Sequence, residues 1–143
     1  MTDDNNTYNY KVYFDAPSVE EFNKLRNIIG WGDIDFDMAQ LSLDNSLFHV
    51  TIRDNKQLIA MGRIVGDGAM YFYVQDIVVH PEYQKRGLGH KVMQYIESYL
   101  SGTTKKGATI GLLSAKGKEG FYERFGYIKR PNDILGNGMC KFI

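Results

Sequence analysis

The sequence predicts an α/β fold in which antiparallel strands and amphipathic helices share one chain. Three observations carry this. Apolar residues recur at helical spacing in two separate stretches, 18–29 and 88–100. Between them, residues 46–79 read as strands separated by turn residues. The last of those strands leads, through a short connection, into a glycine-bearing helix start at Gln84-Lys85-Arg86-Gly87-Leu88-Gly89.

Each element follows from local chemistry. The polar residues 1–9 read as a frayed tail, and residues 10–143 as one domain. Tyr10 to Phe14 is a short strand closed by Ala16-Pro17. Ser18 and Glu21 form a capping box at a helix start, and Val19, Phe22, Leu25 and Ile29 supply that helix's apolar stripe. Gly30 stops it, and Trp31 sits between Gly30 and Gly32. Asp35 to Leu43 reads as a second short helix. Phe48, Val50 and Ile52 then alternate with His49, Thr51 and Arg53, as on a half-buried strand.

After the turn at Asp54-Asn55, Leu58 to Val65 is apolar on both faces apart from Arg63, the pattern of a central strand. Asp67-Gly68 signals a hairpin. Met70 to Val79 is again apolar on both faces, except at Gln75 and Asp76. The helix from Gly87 to Leu100 gathers Leu88, Val92, Tyr95, Ile96, Tyr99 and Leu100 on one face. Ala108 to Ser114 reads as a short buried strand beside 70–79, and Lys116 to Phe125 as a helix stopped by Gly126. Tyr127–Lys129 and Met139–Phe142 read as closing strands.

Composition narrows the function classes. Seventeen basic and seventeen acidic residues give a formal net charge of zero, so no overall field recruits nucleic acid or an anionic membrane. No apolar run approaches the ~20 residues of a membrane span. The N-terminal residues are polar and acidic, unlike a signal or transit peptide, and the expected location is cytoplasmic. A single cysteine, Cys140, excludes an internal disulfide framework and has no evident histidine partner for nucleophilic chemistry. His49, His80 and His90 lack metal-ligand spacing, so no metal is expected.

The strand-to-helix connection is the chemically informative stretch. A helix start leaves backbone N–H groups without intrahelical partners and carries the positive end of the helix dipole. Gly87 and Gly89 let an anion approach that backbone, and Lys85 and Arg86 add positive charge. These residues predict a phosphate or pyrophosphate site. A dinucleotide fingerprint does not fit, because Val92 stands at the third glycine position and His80 to Arg86 separate strand from glycines. A P-loop does not fit either, because no Gly-Lys-Ser/Thr ends the loop.

The run from Asp76 through His80-Pro81 to Gly89 resembles the acetyl-CoA signature of the GNAT superfamily of acyl-CoA-dependent N-acetyltransferases. The resemblance covers most of residues 10–143 and is most specific over 70–127. It implies a splayed, mixed, mostly antiparallel sheet with helices on both faces. It also implies acetyl-CoA as cosubstrate, entering where strands 70–79 and 108–114 part. Gln84, Lys85, Arg86, Gly87, Leu88 and Gly89, with His90 and Lys91 at the margin, would hold the pyrophosphate. The backbone of Ile77, Val78 and Val79 would hold the pantetheine arm and polarise the thioester carbonyl. The family pattern Tyr-x-x-x-Gly-Phe/Tyr stands here as Tyr122 to Tyr127, which implies Tyr122 as general acid for the leaving thiolate. Many relatives dimerise, which leaves a homodimer open.

Two charges in apolar strands need partners. Some relatives carry a glutamate where this chain has Gln75, so Asp76 is the remaining carboxylate. It either bonds locally or meets an ammonium substrate and passes a proton through water. Arg63 either closes a salt bridge, with Asp76 or another acid, or clamps a substrate carboxylate. Trp31 either packs as core or forms part of a mobile loop over the acceptor. The implied function is acetyl transfer from acetyl-CoA to a primary amine in a ternary complex. Small acceptors (an aralkylamine, a polyamine or a free amino acid) lead, with protein acetylation and non-catalytic acyl-CoA sensing as alternatives.

Overall fold

A computed structural model describes residues 9–143. They fall into two units, one ending at Gly111 and one running from Leu112 to Ile143. The first unit contains a five-stranded sheet in the order β1 (Tyr10–Tyr13), β2 (Phe48–Asp54), β3 (Gln57–Gly66), β4 (Tyr71–Val79) and β5 (Thr109–Gly111). The first four strands pair antiparallel, and β5 joins β4 in parallel. The sheet is therefore mixed and mostly antiparallel.

Helices cover both faces. On one lie α1 (Val19–Ile28) and α2 (Phe36–Asp44), whose Val19, Phe22, Leu25, Ala39 and Leu43 pack with Leu58, Met61 and Val78 of the sheet. The start of α1 is closed by the capping box: Glu21 N–H donates to Ser18 Oγ, and Ser18 N–H to Glu21 Oε2. Asp35 caps α2 through Met38 N–H. On the other face, α3 (Leu88–Thr103) buries Leu88, Val92, Met93, Ile96 and Leu100 against β2, β3 and β4. Phe48 and Tyr99 stack across that contact at 4.5 Å between centroids.

Gly62 sets how closely α3 approaches. A Cβ there would lie 2.6 Å from Ile77 Cδ1 and 2.7 Å from Val92 Cγ1. Gly62→Ala should therefore overpack this face and cost about 1–3 kcal/mol, read as a lower urea midpoint at unchanged m. An unchanged midpoint would mean that α3 has room to stand off from the sheet.

Three expectations are corrected. The 108–114 strand is only Thr109–Gly111, half-exposed rather than buried, and it pairs with Tyr71–Tyr73 alone. No closing strand forms at 127–129 or 139–142. Those stretches are three and four residues long, each holds a lysine, and Pro131, Gly136 and Gly138 interrupt the segment between them. Met139 and Phe142 accordingly stay exposed. In the second unit the helix α4 is Glu119–Glu123, shorter than the 116–125 expected.

Candidate active site

The sheet opens at β4. β5 stops after three paired residues, so from Val74 onward the edge of β4 away from β3 has no strand partner among the described residues. That edge includes Ile77, Val78 and Val79, whose backbone groups are the ones implied to hold an extended ligand. β4 is also irregular. Met61 pairs with Val78 but Arg63 with Gln75, so Asp76 and Ile77 together oppose Gly62. The extra residue is a β-bulge, with Asp76 at φ 58°. In strict alternation Gln75 and Asp76 would face opposite sides of the sheet. The bulge instead lets both side chains meet on the face that carries Arg63, α1 and α2.

There Asp76 is the hub of an ion network. Arg63 Nε donates to its Oδ2 at 2.8 Å, and Arg26 Nη1 to its Oδ1 at 3.0 Å. Gln75 Nε2 adds a third bond to Oδ1 at 3.1 Å. The Asp76 side chain is 2% exposed. Arg63 Nη1 also donates to the Ser42 carbonyl and to the hydroxyls of Ser42 and Ser46. Of the alternatives open in the sequence, Asp76 bonds locally and Arg63 closes a salt bridge. Asp76 accepts three hydrogen bonds, two at Oδ1 and one at Oδ2, all from side chains of this network. Arg26, on the last turn of α1, was not legible as its second partner, because an arginine near a helix end normally reads as a solvated residue favouring the dipole. His49 lies close to this network, its Nε2 donating to the Leu43 carbonyl at 2.9 Å. Burial, and then the nearby Arg63, push its pKa below the usual histidine value.

Trp31 lies beside the network. Its backbone N–H donates to the Arg26 carbonyl at 2.8 Å, and the Arg26 guanidinium carbon stands 5.3 Å from the indole centroid. The residue is 43% exposed, between Gly30 and Gly32, both at positive φ. It is neither core nor detached.

The anion loop begins after the 3-10 turn Pro81–Tyr83. The Gln84 side chain donates to the Val79 carbonyl at 3.2 Å, tying the loop back to the end of β4. Lys85 (φ 65°) and Gly87 (φ 77°) both adopt the left-handed conformation, the backbone geometry from which anion-binding nests of N–H groups are built. Gly87 O accepts the first α3 bond, from Lys91 N–H. The N–H groups of Leu88 and Gly89 thus precede the intrahelical ladder. A Cβ on Gly87 would have nothing within 4 Å, so the space above this backbone is open. Arg86 donates to the Tyr10 hydroxyl and lies 5.2 Å over the Tyr83 ring. Its guanidinium braces the loop against β1. These residues fit a pyrophosphate and an extended arm running onto β4.

The second unit holds Tyr122 on α4, half-buried, with ring contacts to Phe121 and Tyr127. Burial pushes its phenol pKa up. A cleft of about 550 Å³ lies in the same unit, lined by Gly117, Lys118, Gly120, Phe121 and Arg124. Among the described residues no group of histidines, cysteines and carboxylates could hold a metal ion, and no helix is long and apolar enough to cross a membrane.

Comparison with known proteins agrees with this geometry. The model of the acetyltransferase (GNAT) domain matches residues 44–129, more than half of the chain and across the boundary between the two units. A probable acetyltransferase from methicillin-resistant Staphylococcus aureus superposes with a TM-score of 0.86 at 30% identity, over 94% of this chain and 99% of that one. A ycf52-like N-acetyltransferase from Prochlorococcus marinus is 32% identical over 127 residues, 85% of this chain and 67% of its own length. The chloroplastic serotonin N-acetyltransferase 2 of Oryza sativa subsp. japonica is 36% identical over 78 residues, 54% of this chain and 38% of its own length. With the open β4 edge, the left-handed loop and the helix start in one register, the chain belongs to the GNAT family of N-acetyltransferases.

Proposed function

We propose that this enzyme transfers acetyl from acetyl-CoA directly to the primary amine of a small molecule, both bound at once, with residues 10–143 working as one acetyltransferase domain. The carrying observation is the continuity of the open β4 edge with the loop Gln84–Gly89 and the start of α3. Acetyl-CoA supplies the thioester. The loop, with His90 and Lys91 at its margin, takes the pyrophosphate, and the Ile77–Val79 backbone takes the pantetheine arm and polarises the carbonyl. The neutral amine nitrogen attacks that carbonyl, the C–S bond breaks as Tyr122 gives its phenolic proton to the leaving thiolate, and the proton released by the new amide nitrogen passes through water to restore the phenol. A phenol pKa raised by burial keeps that proton in place at neutral pH. Asp76 serves as a positioning residue, fixing the bulge beside Ile77 through its two arginines, rather than as the base. The exposed Trp31 ring, together with the serotonin N-acetyltransferase among the relatives, favours an aromatic amine as one acceptor type.

Gly87→Trp tests the cofactor site. The side chain would enter the open space over the loop, so calorimetric titration should show acetyl-CoA affinity reduced by tenfold or more, about 1.4 kcal/mol. Gly87→Asn, which tolerates a left-handed backbone, controls for the φ requirement. Unchanged affinity in a folded Gly87→Trp variant removes the loop from the site. A screen of amines for CoA release tests the reaction itself.

A further inference from the structure

The ion network around Asp76 does not balance. Two guanidinium groups, Arg26 and Arg63, share one carboxylate, and His49 is held toward its neutral form. Arg26, Arg63 and Asp76 together therefore carry one net positive charge at neutral pH. Arg63 uses Nε on Asp76 and Nη1 on Ser42 and Ser46, so two of its three nitrogens are bonded. Arg26 uses only one. Its Nη1 binds Asp76, but its Nε is buried with no hydrogen-bond partner. Its Nη2 makes no bond to any described residue either. Nε and Nη2 form one edge of the planar guanidinium, an edge that can take both oxygens of a carboxylate in a fork. A buried donor without a partner is costly, and native structures keep few of them.

The surroundings shape the site. Phe22 and Trp31 lie near the guanidinium, with centroids 5.6 Å and 5.3 Å from Arg26 Cζ. Trp31 is flanked by two glycines in the left-handed conformation, so the segment covering Arg26 can be re-aimed at low conformational cost. Arg26 is tethered through Asp76 to the bulge immediately before Ile77–Val79, the strand proposed to hold the thioester.

We propose that the Nε–Nη2 edge of Arg26, beside Trp31, is an acceptor subsite for a carboxylate, so that the amine substrate is an amino acid or a peptide-like molecule with a free carboxylate. This rests on the acetyl-transfer reading for the word substrate, but not for the binding. A single carboxylate matches the single uncompensated charge. A phosphate ester would bring ≈ −1.5 to −2 and leave the cluster negative.

The chain contains one tryptophan, so its fluorescence reports this place alone. The intact protein, without acetyl-CoA, is titrated with four probes: phenylalanine, 2-phenylethylamine, β-alanine and O-phosphoethanolamine. Phenylalanine and β-alanine should change Trp31 emission saturably. Phenylalanine should bind about tenfold or more tightly than 2-phenylethylamine, which lacks only the carboxylate. Arg26→Lys keeps a positive charge on Asp76 but removes the fork, and should erase that preference. Equal response to phenylalanine and 2-phenylethylamine overturns the subsite, as does no response to either amino acid. Binding of O-phosphoethanolamine alone, or an undiminished preference in a folded Arg26→Lys protein, overturns it too. The wild-type comparison decides by itself if the variant does not fold. Acetyl transfer to the same probes is then measured. Carboxylate-dependent binding with no transfer to any probe would keep the subsite and remove the enzymatic reading. Transfer to 2-phenylethylamine with no carboxylate-dependent signal would do the reverse.

Discussion

Asp76→Asn is expected to destabilise the protein by about 3–5 kcal/mol, the range for removing one partner of a buried ion pair. The substitution keeps the side chain's shape, and asparagine tolerates the positive φ of this position, so the backbone does not confound the result. What changes is charge. The guanidinium groups of Arg26 and Arg63 would remain largely buried without a counter-charge, and the single amide oxygen of the variant could accept from only part of the present donor set. The Arg53–Glu21 pair is the internal control. Its side chains are 20% and 26% exposed, and Glu21→Gln should cost more modestly, mostly through the capping box and a solvent-screened ion pair of about 0–1 kcal/mol. Urea denaturation of both variants gives the comparison. A loss below about 1 kcal/mol for Asp76→Asn would mean that water reaches the network.

The contrast between these two pairs shows which interactions a sequence makes legible. Ser18 and Glu21 are three residues apart, and the capping box follows from that spacing alone. The loop at 84–89 is legible for the same reason, since strand, glycines and helix start are contiguous. Arg63 and Asp76 could be paired because each is the lone charge of its sign in an apolar strand. Arg26 lies fifty residues from Asp76 and sits on a helix whose apolar stripe does not include it, so no local pattern connects them. The bulge in β4 was equally hidden, because bulges depend on the register between strands. Gly62 carried the available signal, since a glycine inside an apolar strand marks a bulge or a close approach. The strands expected at 127–129 and 139–142 fail in the opposite way. Short apolar runs satisfy the composition of a strand without any partner edge to complete the ladder.

Tyr122→Phe should leave acetyl-CoA binding intact and lower kcat by ~10²–10³, within the span for a positioned general acid. The prediction follows from what the hydroxyl does in the fold, which is little. Tyr122 makes ring contacts with Phe121 and Tyr127, and phenylalanine preserves both. Its hydroxyl makes no hydrogen bond with a described residue, so removing it breaks no structural bond. Stability should therefore change by less than about 1 kcal/mol, as for other substitutions that leave packing and polar partners intact. The pH profile adds a readout that a packing role would not move. Burial raises the Tyr122 phenol above its ordinary value, so the acid form persists to a pH higher than a free tyrosine would allow. Wild-type kcat should thus fall only well into the alkaline range, where the phenol ionises, and that limb should vanish in Tyr122→Phe. Comparable kcat in the two proteins, with chemistry shown to limit turnover, would remove Tyr122 from proton transfer. A low kcat with the alkaline limb retained would point to a different acid. A fall in stability matching the fall in rate would return Tyr122 to the core of the second unit.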